Sequence, residues 1–302
     1  MQDKMATYIK TLIQQYEEAV PHADPRTKNW FLLNNNPFPV WILTALYITV
    51  VFVGPRIMKN RQPFNLQMFM IVYNLALVGL SIYMFIELFL GIWGADYNLW
   101  CASYSTDKSP KDPRENRVAR VLWWYFFSKA VELMDTVLMI LRKKFEQVTF
   151  LHWFHHASML NIWWWTMMFI PGGMSWFGAW LNCLVHVVMY SYYGLSVIPS
   201  LKQKLWFKKY ITTFQLVQFV ITFVHTFNSL RVGCDFPHWG QNLLAGYMLI
   251  MLTLFSNFYL QTYIKKKKRL HHKSHSNGGI ADYEKKAVIN GDKNGFIHNK
   301  AD

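Results

Sequence analysis

Charge is what this sequence is short of. Only 16% of its 302 residues are Asp, Glu, Lys or Arg, against 53% hydrophobic and 18% aromatic. Acidic residues are the scarcer kind, 17 against 31 basic, for a formal net charge of +14. Length alone would permit a single soluble domain. The distribution of charge does not: short basic clusters alternate with long apolar runs, the pattern of a chain that crosses a membrane several times. A nucleic-acid binder would carry its basic residues on a folded polar face. Here they fall in connectors and tail, which excludes nucleic acid and favours membrane lipid with anionic headgroups as the partner. The sequence has no Asn-x-Ser/Thr sequon and no internal repeat. The first 36 residues lack the compact apolar core of a cleavable signal peptide, so the first apolar run is expected to direct insertion.

Seven runs approach the roughly 20 apolar residues that a spanning helix needs: 38–57, 68–91, 118–141, 148–170, 174–197, 205–230 and 240–264. Gly54-Pro55 is a helix stop for the first, and Pro171-Gly172-Gly173 is a turn between the fourth and fifth. The expected fold class is all-α, a multi-pass membrane protein of seven helices. It divides into a segment 1–37, a helical domain 38–264 and a basic, disordered tail 265–302. Arg56, Lys59 and Arg61, then Arg142, Lys143 and Lys144, then Lys202, Lys204, Lys208 and Lys209, and finally KKKKR at 265–269 all fall on one side of seven spans. That side is expected to be cytosolic and the N-terminus lumenal. Lys300, third from the end, is a weak echo of a lysine-based retrieval signal. Cys101 and Cys234 both fall on the lumenal, oxidising side and form a candidate disulfide, while Cys183 lies within a span.

Polar residues inside spans are costly without a partner or a wet cavity. KAVELMDT (129–136) places Lys129, Glu132 and Asp135-Thr136 on one helix face. HWFHH (152–156) places His152, His155 and His156 on another. HVVMYSYY (186–193) aligns His186, Met189, Tyr190 and Tyr193, with Asn182 one turn before. Gln215, Gln218, Thr222 and His225 share a face of the sixth span, where bridging between helices is an equal explanation. Three of these stripes, with Gln215 and Gln218 of the fourth, fall at similar depth and imply one cavity open to the cytosol. The basic connectors beside it suit a polyanionic substrate as well as a topology signal. Of 11 histidines only His152, His155, His156, His186 and His225 lie in spans, too few for a di-iron set of eight or so. A mononuclear site of two or three histidines and a carboxylate stays open.

These four motifs, with YN at 73–74 and SNFY at 256–259, resemble in order the signature of the ELO family, the fatty acid elongases of the endoplasmic reticulum. The resemblance covers about residues 30–264. It implies condensation of an acyl-CoA with malonyl-CoA to give a 3-oxoacyl-CoA, CO2 and CoA. It also implies an acyl tunnel among the helices, no metal or redox cofactor, and work alongside a ketoacyl-CoA reductase, a dehydratase and an enoyl-CoA reductase. His155 is then expected to accept or orient the acyl group. His186 would polarise the thioester or enolate oxygen. His152 and His156 would hold position and tautomer, backed by Lys129, Glu132 and Asp135. Asn182, Met189, Tyr190, Tyr193, Gln215, Gln218, Arg142 and Lys143 are the expected substrate contacts. Cys183, one turn from His186, is the weaker nucleophile candidate. Gln147 looks like the animal branch handling polyunsaturated and very long chains, from which Trp153-Phe154 departs. An iron desaturase or hydroxylase is the alternative enzyme. A seven-span receptor or lipid transporter is the non-enzymatic one.

Overall fold

A computed structural model describes residues 16–104, 113–202 and 206–265, together with 11 and 14. The tail expected beyond Lys265, most of the first 15 residues, and connector positions 105–112 and 203–205 lie outside the described residues.

The described chain is all-helical, and a helix occupies each of the seven apolar runs. We number them α1 (Phe38–Met58), α2 (Gln67–Gly94), α3 (Pro113–Glu132), α4 (Met134–Leu141), α5 (Phe150–Phe169), α6 (Ser175–Ser196), α7 (Lys208–Arg231) and α8 (His238–Tyr259), the last continued by a π-helical stretch Leu260–Lys265. Four are long and apolar enough to cross a membrane: α1, α2, α7, and α8 with its extension. Their exposed faces are apolar, as with Ile42, Leu46, Phe52, Val72, Leu75 and Ile86. One polar stripe lies on α7 itself; α3, α5 and α6 carry polar residues that lower their mean hydropathy, and α4 has only 8 residues.

One compact unit ends at Thr253 and a second begins at Leu254. Within the first, α2 packs on α6 and α3, α3 on α5, α6 on α7, and α1 on α4 and α5. Two boundaries differ from the sequence reading. Pro55 does not end α1; the helix runs on to Met58. Gly54 lies against α4, where a Cβ would meet Ile140 Cγ2 at 3.0 Å. That packing holds the last turn despite the amide proton that proline lacks. The third run is not one helix, because the ladder breaks at Leu133. The Tyr73 hydroxyl donates to the Val131 carbonyl (3.3 Å), and a side chain inserted at that point interrupts the i→i−4 ladder.

The two ends of this unit are built differently. At one end, Cys101 and Cys234 form a disulfide, Cα atoms 5.4 Å apart. There the N-terminal segment is held by Asp24 N–H to the Met168 carbonyl (2.7 Å), Thr27 Oγ1 to the Met167 carbonyl (2.6 Å) and the indoles of Trp164 and Trp123 on the Leu32 and Phe31 carbonyls. The Asp24 carboxylate accepts from Arg26 and from the Tyr104 hydroxyl. Burial works to raise this carboxyl, but Arg26 and Tyr104 together hold it below the ordinary value. Burial, with the neighbouring Asp24, raises the Tyr104 hydroxyl. Gly173 adopts φ +50°, and a Cβ there would lie 2.8 Å from Tyr104. Glycine is required on both counts. At the opposite end lie the connectors carrying Lys59, Arg61, Arg142, Lys143 and Lys208. Lys143 Nζ donates to the carbonyls of Lys59 and Arg61, each at 2.9 Å, and ties two connectors together.

Candidate active site

The stripes drawn from helical spacing meet inside the unit. On α3, Lys129 and Glu132 are 2% and 1% exposed. Lys129 Nζ donates to Glu132 Oε1 (2.9 Å) and Oε2 (3.2 Å), and the same oxygen Oε1 accepts from Ser128 Oγ at 3.0 Å. His186 of α6 brings Nδ1 to within 3.3 Å of Glu132 Oε1. Such a pair costs more to desolvate than its attraction returns unless the remaining donors and acceptors are filled. Here they are filled. Lys129 also reaches Asn182 Oδ1 (3.3 Å) and lies over the Tyr125 ring, 4.2 Å from its centroid.

Asn182 links α6 to two other helices. Its Oδ1 accepts from the Tyr125 hydroxyl (2.6 Å), and its Nδ2 donates to Gln218 Oε1 of α7 (3.3 Å). Tyr125 and Ser128 were missed by sequence reasoning, although Tyr125 stands one turn before Lys129 on the same stripe. An aromatic there reads as packing unless its hydroxyl has a named partner. Past the break at Leu133, Asp135 Oδ2 accepts from the Tyr190 hydroxyl (2.9 Å). Thr136 Oγ1 bonds both the Tyr47 hydroxyl and His152 Nε2, each at 2.8 Å.

The three histidines of α5 occupy its first turns. Thr149 caps the helix through the His152 amide at 3.3 Å, which satisfies an otherwise free terminal donor. The His152 and His156 rings lie 4.5 Å apart, and those of His155 and His156 5.4 Å apart. Their surroundings divide them. His152 is held by Thr136, and His156 is buried against both neighbours. His155 lines a cavity with Tyr125, Asn182 and Gln218.

That cavity holds ≈ 870 Å³ of empty space, its open part included. It runs past Met159, Trp163 and Thr166 to Ile170, Phe236 and Gly240 near the disulfide. From His155 to Ile170 the rise along α5 is about 22 Å. Gly240 makes room at the far end, because a Cβ there would meet Ile170 Cδ1 at 2.5 Å. The walls are mainly apolar; Tyr125, His155, Asn182 and Gln218 group at one end, while polar side chains farther along include Ser229 and Gln241, which are bonded to each other, an arrangement that suits a long apolar chain with its reactive head at His155.

Other expected site residues sit around this core. Gln215 Nε2 reaches Met189 Sδ at 3.6 Å, and the Tyr190 and Tyr193 rings are 5.9 Å apart. Arg142 caps the end of α4, and Lys143 is engaged by carbonyls as described. Cys183 is buried and carries a free thiol. His225, on the sequence stripe with Gln218, instead stacks on Phe177 at 3.6 Å and bonds the Leu99 carbonyl at 2.6 Å. Among the described residues, no group of three or more His, Cys, Asp and Glu side chains converges as metal ligands do.

The family model described as "ELO: GNS1/SUR4 family" matches residues 32–271. The chain is 46% identical over 296 residues to the Very long chain fatty acid elongase 5 of Rattus norvegicus, covering 97% of this chain and 93% of the relative. The human protein of that name is 45% identical over 295 residues, with the same coverage of both chains. The Bos taurus protein is 49% identical over 261 residues, covering 85% of this chain and 86% of the relative.

Proposed function

The chain belongs to the GNS1/SUR4 family, and on that premise we propose that it is the condensing enzyme of fatty acid elongation. It joins a long- or very-long-chain acyl-CoA, polyunsaturated chains included, to malonyl-CoA and releases CO2 and CoA. One observation carries the reading: of the three clustered histidines, His155 lines a long apolar cavity, while the others are held in place behind it.

The chemistry runs in two steps. The neutral His155 ring attacks the thioester carbon, and the C–S bond breaks as an acyl–N bond forms. The departing CoA thiolate takes up the proton that the ring gives up. Malonyl-CoA then loses CO2, and the electron pair of the broken C–C bond becomes an enolate. Its carbon attacks the acyl group, and His155 leaves with its electron pair and takes up a proton from solvent, which restores the neutral ring. Glu132 orients His186 through Nδ1 and stabilises that ring when it carries both protons, so that Nε2–H polarises the thioester or enolate oxygen. Asn182 and Gln218 bring amides to the same wall. No metal or redox group enters these steps.

The surrounding arrangement follows from charge and length. Seven spans in the endoplasmic reticulum membrane put the N-terminus in the lumen and the C-terminus in the cytosol. The basic connectors, Arg142 and Lys143 among them, then face cytosolic CoA phosphates. The 3-oxoacyl product passes to a ketoacyl-CoA reductase, a dehydratase and an enoyl-CoA reductase. Expression in yeast with supplied fatty acids and chain-length profiling tests the reading. Products two carbons longer than the feed are expected, and their absence for every chain supplied overturns it. Intact-mass analysis after acyl-CoA incubation tests the covalent step. An active enzyme that forms no acyl adduct refutes it.

A further inference from the structure

Asn182 and Gln218 both border the cavity, but their amides are not equivalent. The oxygen and nitrogen ends of an amide are told apart by their partners, and here Lys129 settles it. An ammonium has three donors and no acceptor, so the Asn182 atom 3.3 Å from Lys129 Nζ is the oxygen, Oδ1. The Tyr125 hydroxyl, 2.6 Å from the same oxygen, therefore donates to it. The other end of the Asn182 amide is Nδ2. It donates across 3.3 Å to Gln218, and the atom it meets there is Oε1. The buried charge on α3 thereby sets the polarity of two amides in series, one on α6 and the next on α7.

What this series leaves over is Gln218 Nε2. Among the described residues nothing accepts from it. Nor is it sealed away: Gln218 is 5% exposed, and Nε2 does not belong to the buried polar atoms that lack both a partner and accessible surface. An unpaired atom that stays accessible on so deeply buried a side chain faces internal space. The space that Gln218 borders is the cavity, at the end where His155 lines it. Bridging between helices uses Oε1 alone and leaves the N–H groups of Gln218 at the wall.

We propose that Gln218 is a catalytic residue whose Nε2–H donates to the carbonyl oxygen of the acyl group, with Lys129 and Asn182 as the positioning residues that aim it. The proposal rests on the condensing-enzyme reading and names the group that serves one of its two reacting oxygens. That oxygen gains an electron pair when the His155 nitrogen adds to the thioester carbon, and returns it as the C–S bond breaks. It gains the pair again when the enolate carbon adds to the acyl group on His155, and returns it as the acyl–N bond breaks. A fixed donor at that oxygen lowers both barriers. His186, oriented by Glu132, is left for the enolate oxygen of the malonyl unit.

The test uses the full-length enzyme in membranes with malonyl-CoA, a C18 acyl-CoA and two unreactive analogues of it. In one, a methylene replaces the thioester sulfur and the carbonyl stays. In the other, a methylene replaces the carbonyl and the sulfur stays. Gln218→Met is expected to lower kcat about a hundred-fold, with KM for acyl-CoA little changed. The unaltered enzyme should bind the carbonyl analogue about five-fold more tightly than the other, and Gln218→Met should abolish that preference. Asn182→Asp reads the same donor without touching Gln218. A carboxylate still accepts from Lys129 and Tyr125 but donates nothing, so the Gln218 amide turns its N–H groups to α6 and its oxygen to the cavity. This variant should lose kcat to about the same extent. The double variant should be no worse than Gln218→Met alone, because both changes remove one hydrogen bond. Four results overturn the proposal: no preference for the carbonyl analogue in the unaltered enzyme, equal weakening of both analogues in Gln218→Met, unchanged kcat in that variant, or losses that multiply in the double variant. All four leave condensation by the unaltered enzyme in place. Lack of condensation with every acyl-CoA would instead overturn the underlying reading, and this inference with it.

Discussion

Two clusters of buried charge stand at different levels of this protein, and only one has the features of a reactive site. Asp24, Arg26 and Tyr104 pair mainly with one another: acid and base are two residues apart, the guanidinium grips the carboxylate while its Nη1 makes no hydrogen bond and lies 3.7 Å from Glu115, and a disulfide holds the neighbouring connectors. Lys129, Glu132, Asp135 and the four histidines come from α3, α4, α5 and α6, and their network ends at a cavity wall. Burial of charge is common to both. What separates them is the group each leaves at a pocket wall: at one, Tyr104, whose hydroxyl is already given to Asp24; at the other, the imidazole of His155.

Substitution should pull the two apart. Replacing His155 by alanine is expected to lower condensation by about a thousand-fold, with thermal unfolding in detergent nearly unchanged. A variant with full activity would move the chemistry elsewhere. Glu132→Gln strands Lys129 as a buried charge and should cost about 3–5 kcal/mol of stability as well as activity. Adding Lys129→Met should recover much of the stability and none of the activity, a split measurable by melting temperature beside turnover. At the other cluster, Cys101→Ser with Cys234→Ser should cost about 2–4 kcal/mol. Condensation at moderate temperature should survive it. A complete loss of turnover in folded protein would make this end part of the catalytic apparatus.

The smallest effect expected is one of pH. Asp24 is held below its unfolded value, near 3.9 for an ordinary aspartate. Its contribution to stability is therefore fully present above that pH and lost as pH falls through the lower, folded value. Melting temperatures of the parent and Asp24→Asn should differ at neutral pH, begin to converge as pH falls below about 4, and meet only below the lowered, folded value. A constant difference down to strong acid would mean that the carboxylate charge contributes nothing there.

The site was legible because helical period is a local property. Residues three and four apart share a face whatever the helix packs against, so Lys129 with Glu132, His152 with His155 and His156, and His186 with Asn182 could be grouped before any fold was known. Helix positions were legible for the same reason, since apolar runs of spanning length are contiguous. Boundaries were less so: α1 runs through Pro55 because α4 packs against it, and the break at Leu133 depends on a tyrosine from α2. The Asp24 cluster was not found, because two charges in a polar N-terminal segment look solvated until Met168 and Tyr104 are brought to them.

Composition and periodicity alone thus determined a chain of apolar helices with polar stripes, since both follow from the order of side chains along one helix. Only tertiary structure decided how each helix is rotated against its neighbours. That rotation selects His155 over His152 and His156 for the cavity wall, sends His225 to Phe177 instead of the site, and leaves the Thr222 hydroxyl unpaired. These outcomes depend on contacts between residues far apart in sequence, and a helical period carries no information about them.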